Sequence, residues 1–370
     1  MTDLNLLIYT LQVVFCVATL LSLVRLLSIP QPVSSFPLLW GLGVALIAWR
    51  FGNEQQIFYS SDQVQMVNNI LTLERDGFSL HPEVLLGRRD MITIPAWVLW
   101  KAGMYPLLTV KFLQAVSLLL TITALARALP PVVRLALKKQ PLLWLLFVGP
   151  SLVFNSLLAL RDQVLVAGVT WFYTSSKLQT RAVWLLVITL LRPHLGVAVL
   201  LSLVFVRGAA VWRVSPFRVA IMTFGNFLFG VLLYAVGAAI ATRRFSGVAS
   251  LFSQERTLRL LAAFSSLNFL VVDSSTVDQS FSTLLLARIV FYDTWLIPLV
   301  FAGVILVFAQ TASPMQLRVL FGFSLFAGIS SETDFVSSRQ LTPFFPIMAL
   351  ASLATLVGAR VKRSQVPSES

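Results

Sequence analysis

Apolar runs close to twenty residues long recur along the whole chain, from 6–27 to 342–358. A helix of about 20 residues matches the ~30 Å hydrocarbon core of a bilayer. Charge use agrees, since 12% of the 370 residues are charged, about half the share of a soluble domain. The pattern predicts an all-α fold, a polytopic integral membrane helical bundle, with residues 1–370 forming a single transmembrane domain. The run 6–27 is expected to be a span and not a cleavable signal. It is too long for a signal core, lacks a basic residue before it, and has no small-residue cleavage site after it.

The formal net charge is +13. Most of the Lys and Arg lie between apolar runs, so the positive-inside bias accounts for the charge and no nucleic-acid partner is expected. The basic stretches 127–139, 177–181, 207–218 and 360–363 are assigned to the cytoplasmic side. They agree with one another if spans lie near 6–27, 37–51, 104–126, 141–158, 163–176, 219–240, 291–309, 317–330 and 342–358. That makes about nine full spans, an outside N-terminus and a cytoplasmic C-terminus.

Segment 182–206 departs from this scheme. A single crossing would invert all that follows and put Arg207, Arg213 and Arg218 outside. Two short helices, 182–191 and 195–206, would instead dip in and return. Pro193 has no amide hydrogen and disfavours helix at Arg192, so the break is expected there. A broken or re-entrant helical hairpin near 182–206 is the favoured reading. Two outer segments follow: 52–103, with an interfacial helix, and 243–293.

With this topology the polar residues gather on the outer face. Arg192 is the leading candidate. A charge in hydrocarbon costs at least ~2.5–3.5 kcal/mol on insertion scales, so an intramembrane Arg is a functional-site hypothesis by default. Snorkelling to the surface is its plain alternative. His194 could act as acid or base, or only hydrogen-bond the broken backbone. Arg161-Asp162 either closes a turn or binds a ligand. In the second case Arg161 takes phosphate through its planar fork and Asp162 orients that ligand. Asp62 either caps a helix beginning at Ser61 or Asp62, or takes a proton from an acceptor hydroxyl.

Glu332, Asp334 and Arg339 form a solvated loop with a local ion pair, or position Arg339 for a pyrophosphate. Arg243 and Arg244, with Arg256 and Arg259, stand on the outer side against the charge rule and offer an anion-binding surface. Arg88-Arg89-Asp90 suits lipid headgroups, and Trp97, Trp100 and Tyr105 suit an aromatic belt.

Several chemistries lose support. With only His81 and His194 a multi-histidine metal site is excluded, although carboxylates could hold a hard divalent cation. The lone Cys16 excludes an intrachain disulfide framework. No P-loop, dinucleotide glycine fingerprint, Gly-x-Ser-x-Gly or zinc spacing occurs, which counts against ATP-driven transport and serine-hydrolase chemistry.

The order of features resembles that of the GT-C type membrane glycosyltransferases and of related bacterial polysaccharide-polymerase-like proteins. The acidic start of the outer loop, Asp62-Gln63-Val64-Gln65-Met66 leading to Asp76-Gly77, is similar. So are 105–127 with its Ala-Arg ending, Leu160-Arg161-Asp162, and Leu191-Arg192-Pro193. This chain differs in having two predicted spans ahead of the acidic loop, where one is usual.

The resemblance implies an enzyme of a bacterial cytoplasmic membrane. It would transfer a sugar or oligosaccharide from a polyprenyl-phosphate-linked donor to a hydroxyl on a glycan or lipid acceptor, outside the cytoplasm. Asp62, Arg192, Arg161 and Asp162 would carry catalysis. His194, Arg339, Glu332, Asp334, Arg243 and Arg244 would bind substrate. No cofactor is required beyond, at most, a divalent cation, and membrane lipids are the remaining partners. The competing expectations are a transporter or flippase for a lipid-linked glycan or anion, and a non-catalytic membrane subunit of a polysaccharide assembly complex.

Overall fold

The computed structural model of the chain describes residues 3–51, 60–76, 90–158, 161–206, 215–242, 289–290, 292–309, 312–331 and 341–364. Among these residues the regular elements are all helical, and no strand occurs. They group into two compact units, one of residues 1–128 with 136–193 and one of 129–135 with 194–370.

In the first unit, α1 (Asp3–Leu26) packs on α2 (Phe36–Phe51). Tyr9, Val13, Cys16, Leu20 and Val24 recur every three or four residues and form the buried stripe of α1. Its other face is also apolar, with Leu4, Leu7, Leu11, Val14 and Phe15 exposed. An apolar surface on both sides is what a helix in lipid presents. Among the described residues, three helical segments are long and apolar enough to cross a membrane: Leu4–Leu26, Pro106–Ala128 and Pro216–Val236. At 1.5 Å per residue, their 21 to 23 residues reach ~30 Å or slightly more.

Between α2 and the next long helix lie α3 (Ser60–Asp76) and α4 (Asp90–Lys101), which pack together. Glu74 fastens them. It accepts a 2.9 Å hydrogen bond from Trp97 Nε1 and pairs with Lys101, whose ammonium also lies 5.4 Å from the Trp100 ring centroid. The core helix of this unit is α5 (Pro106–Ala128), against which α1, α3 and α4 pack. After it, part of the basic stretch 127–139 forms α6 (Pro131–Lys139). Val133 and Leu137 are buried one turn apart, while Arg134, Lys138 and Lys139 are exposed.

Residues 141–158 do not form the single span that hydropathy suggests. They make a 3-10 turn, Pro141–Leu146, and the two-turn helix α7 (Pro150–Ser156). Pro141 and Pro150 each lack the amide hydrogen needed to continue a helix, and Gly149 between them is extended (φ −69°, ψ 165°). The unit closes with α8 (Asp162–Thr174) and α9 (Leu178–Leu191). With 13 and 14 residues, each falls ~10 Å short of a bilayer core.

A break at Arg192 (φ −152°, ψ 86°) separates α9 from α10 (Pro193–Phe205), where the sequence places it.

The second unit contains α11 (Pro216–Thr242), α12 (Asp293–Val307), α13 (Pro314–Ser331) and α14 (Phe345–Ser364). Main chains meet where α11 crosses α13. A Cβ on Gly230 would collide with the Leu325 carbonyl, and one on Gly328 with the Phe227 carbonyl. Beside this crossing Asn226 Nδ2 donates to the Phe321 carbonyl (2.6 Å) and to Ser324 Oγ (2.9 Å). Gln316 ties α13 to α14 by donating to the Ala351 carbonyl at 3.2 Å and to Thr355.

Candidate functional site

The first unit brings Arg161, Asp162 and Arg192 together at one end of the α8–α9 pair. These helices run antiparallel and pack closely. A Cβ on Gly168 would meet Ile188 Cγ1 at 2.8 Å. That contact sets the last turn of α9 beside the first turn of α8.

Arg161 immediately precedes α8 and is half-buried. Its Nη1 donates a 2.8 Å hydrogen bond to the carbonyl of Leu191. The last carbonyls of a helix have no partner within it, and the following Pro193 has no N–H to offer. Arg161 therefore caps α9, and its positive charge sits at the negative end of the helix dipole.

Asp162 opens α8 and is 1% exposed. A carboxylate there is favoured by the positive end of the dipole. Arg192, 4% exposed, places Nη2 3.8 Å from Asp162 Oδ1. The separation exceeds a hydrogen bond, so this contact is Coulomb attraction between buried charges. The backbone N–H of Arg192 completes α9 with a 2.8 Å bond to the Ile188 carbonyl. Arg192 at the end of α9 thus approaches the carboxylate that opens α8, while Arg161 beside it holds the Leu191 carbonyl.

A second polar layer joins this cluster from α5. Gln114 Oε1 accepts the backbone N–H of Gln163 at 3.0 Å, and Gln163 Nε2 donates to the Leu152 carbonyl. Farther along, Trp171 Nε1 donates to the Leu120 carbonyl at 3.1 Å. The two bonds between α5 and α8 show that these helices run parallel. Lys111, one turn before Gln114, is 3% exposed and has no ion-pair partner among the described residues.

Sequence reasoning passed over Lys111, Gln114 and Gln163. The available signal was Lys111 itself, the only charge in the apolar run between Pro106 and Ala126.

The remaining predicted residues are distributed differently. His194 belongs to the second unit, where its ring stacks on Phe326 (centroids 5.6 Å apart, planes 7° apart). Asp62 lies in the first turn of α3, which begins at Ser60, slightly ahead of the cap expected at Ser61 or Asp62. Its side chain lies outside the described residues, as do Arg243, Arg244, Glu332, Asp334 and Arg339. Among the described residues, no three His, Cys, Asp or Glu side chains are grouped to hold a metal ion.

Comparison with protein-family models, curated proteins and solved structures finds no match to this chain.

Proposed function

We propose that this chain is a polytopic protein of a bacterial cytoplasmic membrane, with several full spans and a broken helix near 182–206. Its C-terminus lies in the cytoplasm, and it transfers a glycosyl group on the outer face. The donor is a polyprenyl-phosphate-linked sugar or oligosaccharide, and the acceptor is a hydroxyl on a glycan or lipid.

The observation that carries this reading is the buried Arg192–Asp162 pair, with Arg161 beside it at the head of α8. Burying charge is costly, and a guanidinium buried in an apolar setting marks a candidate site for an anion. A lipid phosphate reaching the cluster laterally through the bilayer supplies that anion.

In the proposed reaction the bond between the anomeric carbon and the phosphate oxygen breaks. The acceptor oxygen bonds to that carbon from the opposite face, with inversion. The electron pair leaves on the lipid phosphate, whose charge Arg192 and Arg161 stabilise. Such preorganised charges are worth several kcal/mol at a developing anion. Asp62 takes the hydroxyl proton. Energy comes from the activated donor, so no nucleotide is consumed.

The test is release of lipid phosphate by purified protein supplied with candidate lipid-linked sugars and acceptor. Arg192→Ala should abolish release while the protein still inserts and folds, and Asp62→Asn should lose activity as well. Normal output from Arg192→Ala sinks the proposal. Topology is tested separately. Cys16 is buried, so a single cysteine at 62 can be labelled against a quiet background. It should label from the outer side.

The helix break at Arg192 also supports a second reading, a transporter for a lipid-linked glycan or anion, because transporters build their sites at broken helices. That reading predicts movement of the donor across a sealed vesicle with no new glycosidic bond.

A further inference from the structure

We propose that Arg127, Lys177 and Arg181 form a headgroup site for an anionic glycerophospholipid, at the end of α8 opposite Asp162. This surface is separate from the Arg192–Asp162 pair and does not depend on glycosyl transfer.

A continuous series of contacts brings the three residues to one end. Trp171 Nε1 donates to the Leu120 carbonyl, which pins the later part of α8 to α5. Arg127, in the last turn of α5, lies over the Trp171 ring, with Cζ 5.6 Å from the centroid. Ser175 follows Trp171 by one turn, and its N–H donates to the Trp171 carbonyl at 2.9 Å. The Ser175 carbonyl accepts a 2.7 Å bond from Nε of Arg181, in the first turn of α9. Between them, the Lys177 N–H donates to Ser175 Oγ at 3.2 Å and fixes the link from α8 to α9.

These contacts orient the cations and leave most of their donors unused. The face of an indole attracts a cation within ~6 Å, and the Trp171 ring is itself held by its bond to Leu120. Arg127 is exposed and makes no hydrogen bond or ion pair among the described residues. Arg181 commits Nε to Ser175 and keeps both terminal nitrogens for a ligand. Lys177 is exposed as well. No carboxylate answers these charges from their own helices. Asp162 is the only Asp or Glu between residues 91 and 254, and it opens α8 at the far end of that helix.

Charge calls for an anion, and the planar fork of Arg suits phosphate oxygens. The surroundings then select a lipid as its carrier. α5 is long and apolar enough to cross a bilayer, and Arg127 in its last turn stands where such a span meets the headgroups. Trp171 fits the same depth, because indoles gather at the boundary between membrane and water. Beside the cations, Leu178, Val183 and Leu186 are exposed along α9. A phosphate that carries acyl chains satisfies both the cations and this apolar flank, whereas a free phosphate satisfies the cations alone.

The test is native mass spectrometry of the full-length protein in detergent, equilibrated with phosphatidylglycerol or with phosphatidylcholine of the same acyl chains. The wild type should favour phosphatidylglycerol by about fivefold or more, the factor expected for one basic residue near an anionic headgroup. Arg127→Gln should lower phosphatidylglycerol affinity by about fivefold and leave phosphatidylcholine unchanged. Arg181→Gln should give a similar loss. It also removes the bond to Ser175, so its melting temperature is read alongside, and Arg127→Gln decides if the fold suffers. Trp171→Leu keeps every charge and should still weaken phosphatidylglycerol, because Arg127 loses its platform. Lys101→Gln removes an equal charge ahead of the opposite end of α5 and should leave the preference intact.

A wild type without preference overturns the site, as does Arg127→Gln protein that binds phosphatidylglycerol as tightly as wild type. Equal losses in Arg127→Gln and Lys101→Gln would show that net charge alone is read, and would overturn it too. Inorganic phosphate that displaces phosphatidylglycerol at the same concentration identifies a free anion and overturns the lipid assignment. Phosphate without effect supports it.

Discussion

Arg161 donates its hydrogen bond to the carbonyl of Leu191, thirty residues farther along the chain. The residue that heads one helix thereby finishes the next. The break at Arg192 is consequently held from α8 and does not depend on α9 alone.

Removal of this cap should loosen the α9 end. Arg161→Met should lower stability by about 1–3 kcal/mol, the usual loss for a hydrogen bond made by a charged group. Arg161→Lys should restore part of it. Chemical unfolding in detergent measures both, and a variant as stable as wild type would show the cap to be idle.

Asp162 and Arg192 should be energetically coupled. Asp162→Ala leaves the Arg192 charge buried without its countercharge, at a cost of about 3 kcal/mol. Arg192→Met in the same chain should recover much of that loss. A double-mutant cycle reads the coupling directly, and additive losses would mean that the 3.8 Å approach contributes nothing.

Gly328 should tolerate no side chain. Even Ala would press on the Phe227 carbonyl, a main-chain atom that cannot swing aside. Gly328→Ala should cost about 1–3 kcal/mol as overpacking, and Gly328→Leu should prevent assembly of α11 with α13. Crosslinking between cysteines placed on these two helices reports the contact.

The α3–α4 clasp should open in acid. Hydrogen bonds from Lys101 and then Trp97 hold the Glu74 carboxyl below its ordinary value of 4.5. A carboxyl depressed by folding adds stability above its unfolded value, and that stability is lost as pH falls through the folded one. The clasp should therefore persist at neutral pH and release only below the usual carboxylate range. Trp97 fluorescence should follow this release, and Glu74→Gln should flatten the titration. Glu74 is exposed, so salt should weaken the effect.

Local chemistry made some of this architecture legible in the sequence. Pro193 announces the break at Arg192, and Ser61 and Asp62 announce the start of α3 to within two residues, because each acts on its own backbone. Hydropathy alone misled at 141–158, where apolar content suggests a span and two prolines with Gly149 forbid one. The same averaging hid Lys111, whose single charge disappears in a mostly apolar run. Arg161, Asp162 and Arg192 could be named from sequence, yet the approach of Arg192 to Asp162 and the bond from Arg161 to Leu191 are tertiary facts. His194 shows the converse. It stands two residues from Arg192 in sequence, yet it stacks on Phe326 of α13. Asp62 stays a proposal from sequence, since its side chain lies outside the described residues.

The crossing at Gly230 and Gly328 also sets an order of events during synthesis. Its two halves emerge from the ribosome at well-separated times, α11 first and α13 after a long intervening stretch. The earlier helix must wait with its notch unfilled until the later one arrives. Maturation of this half of the molecule is thereby tied to translation of its closing third, and a chain truncated before α13 would leave α11 without its mate.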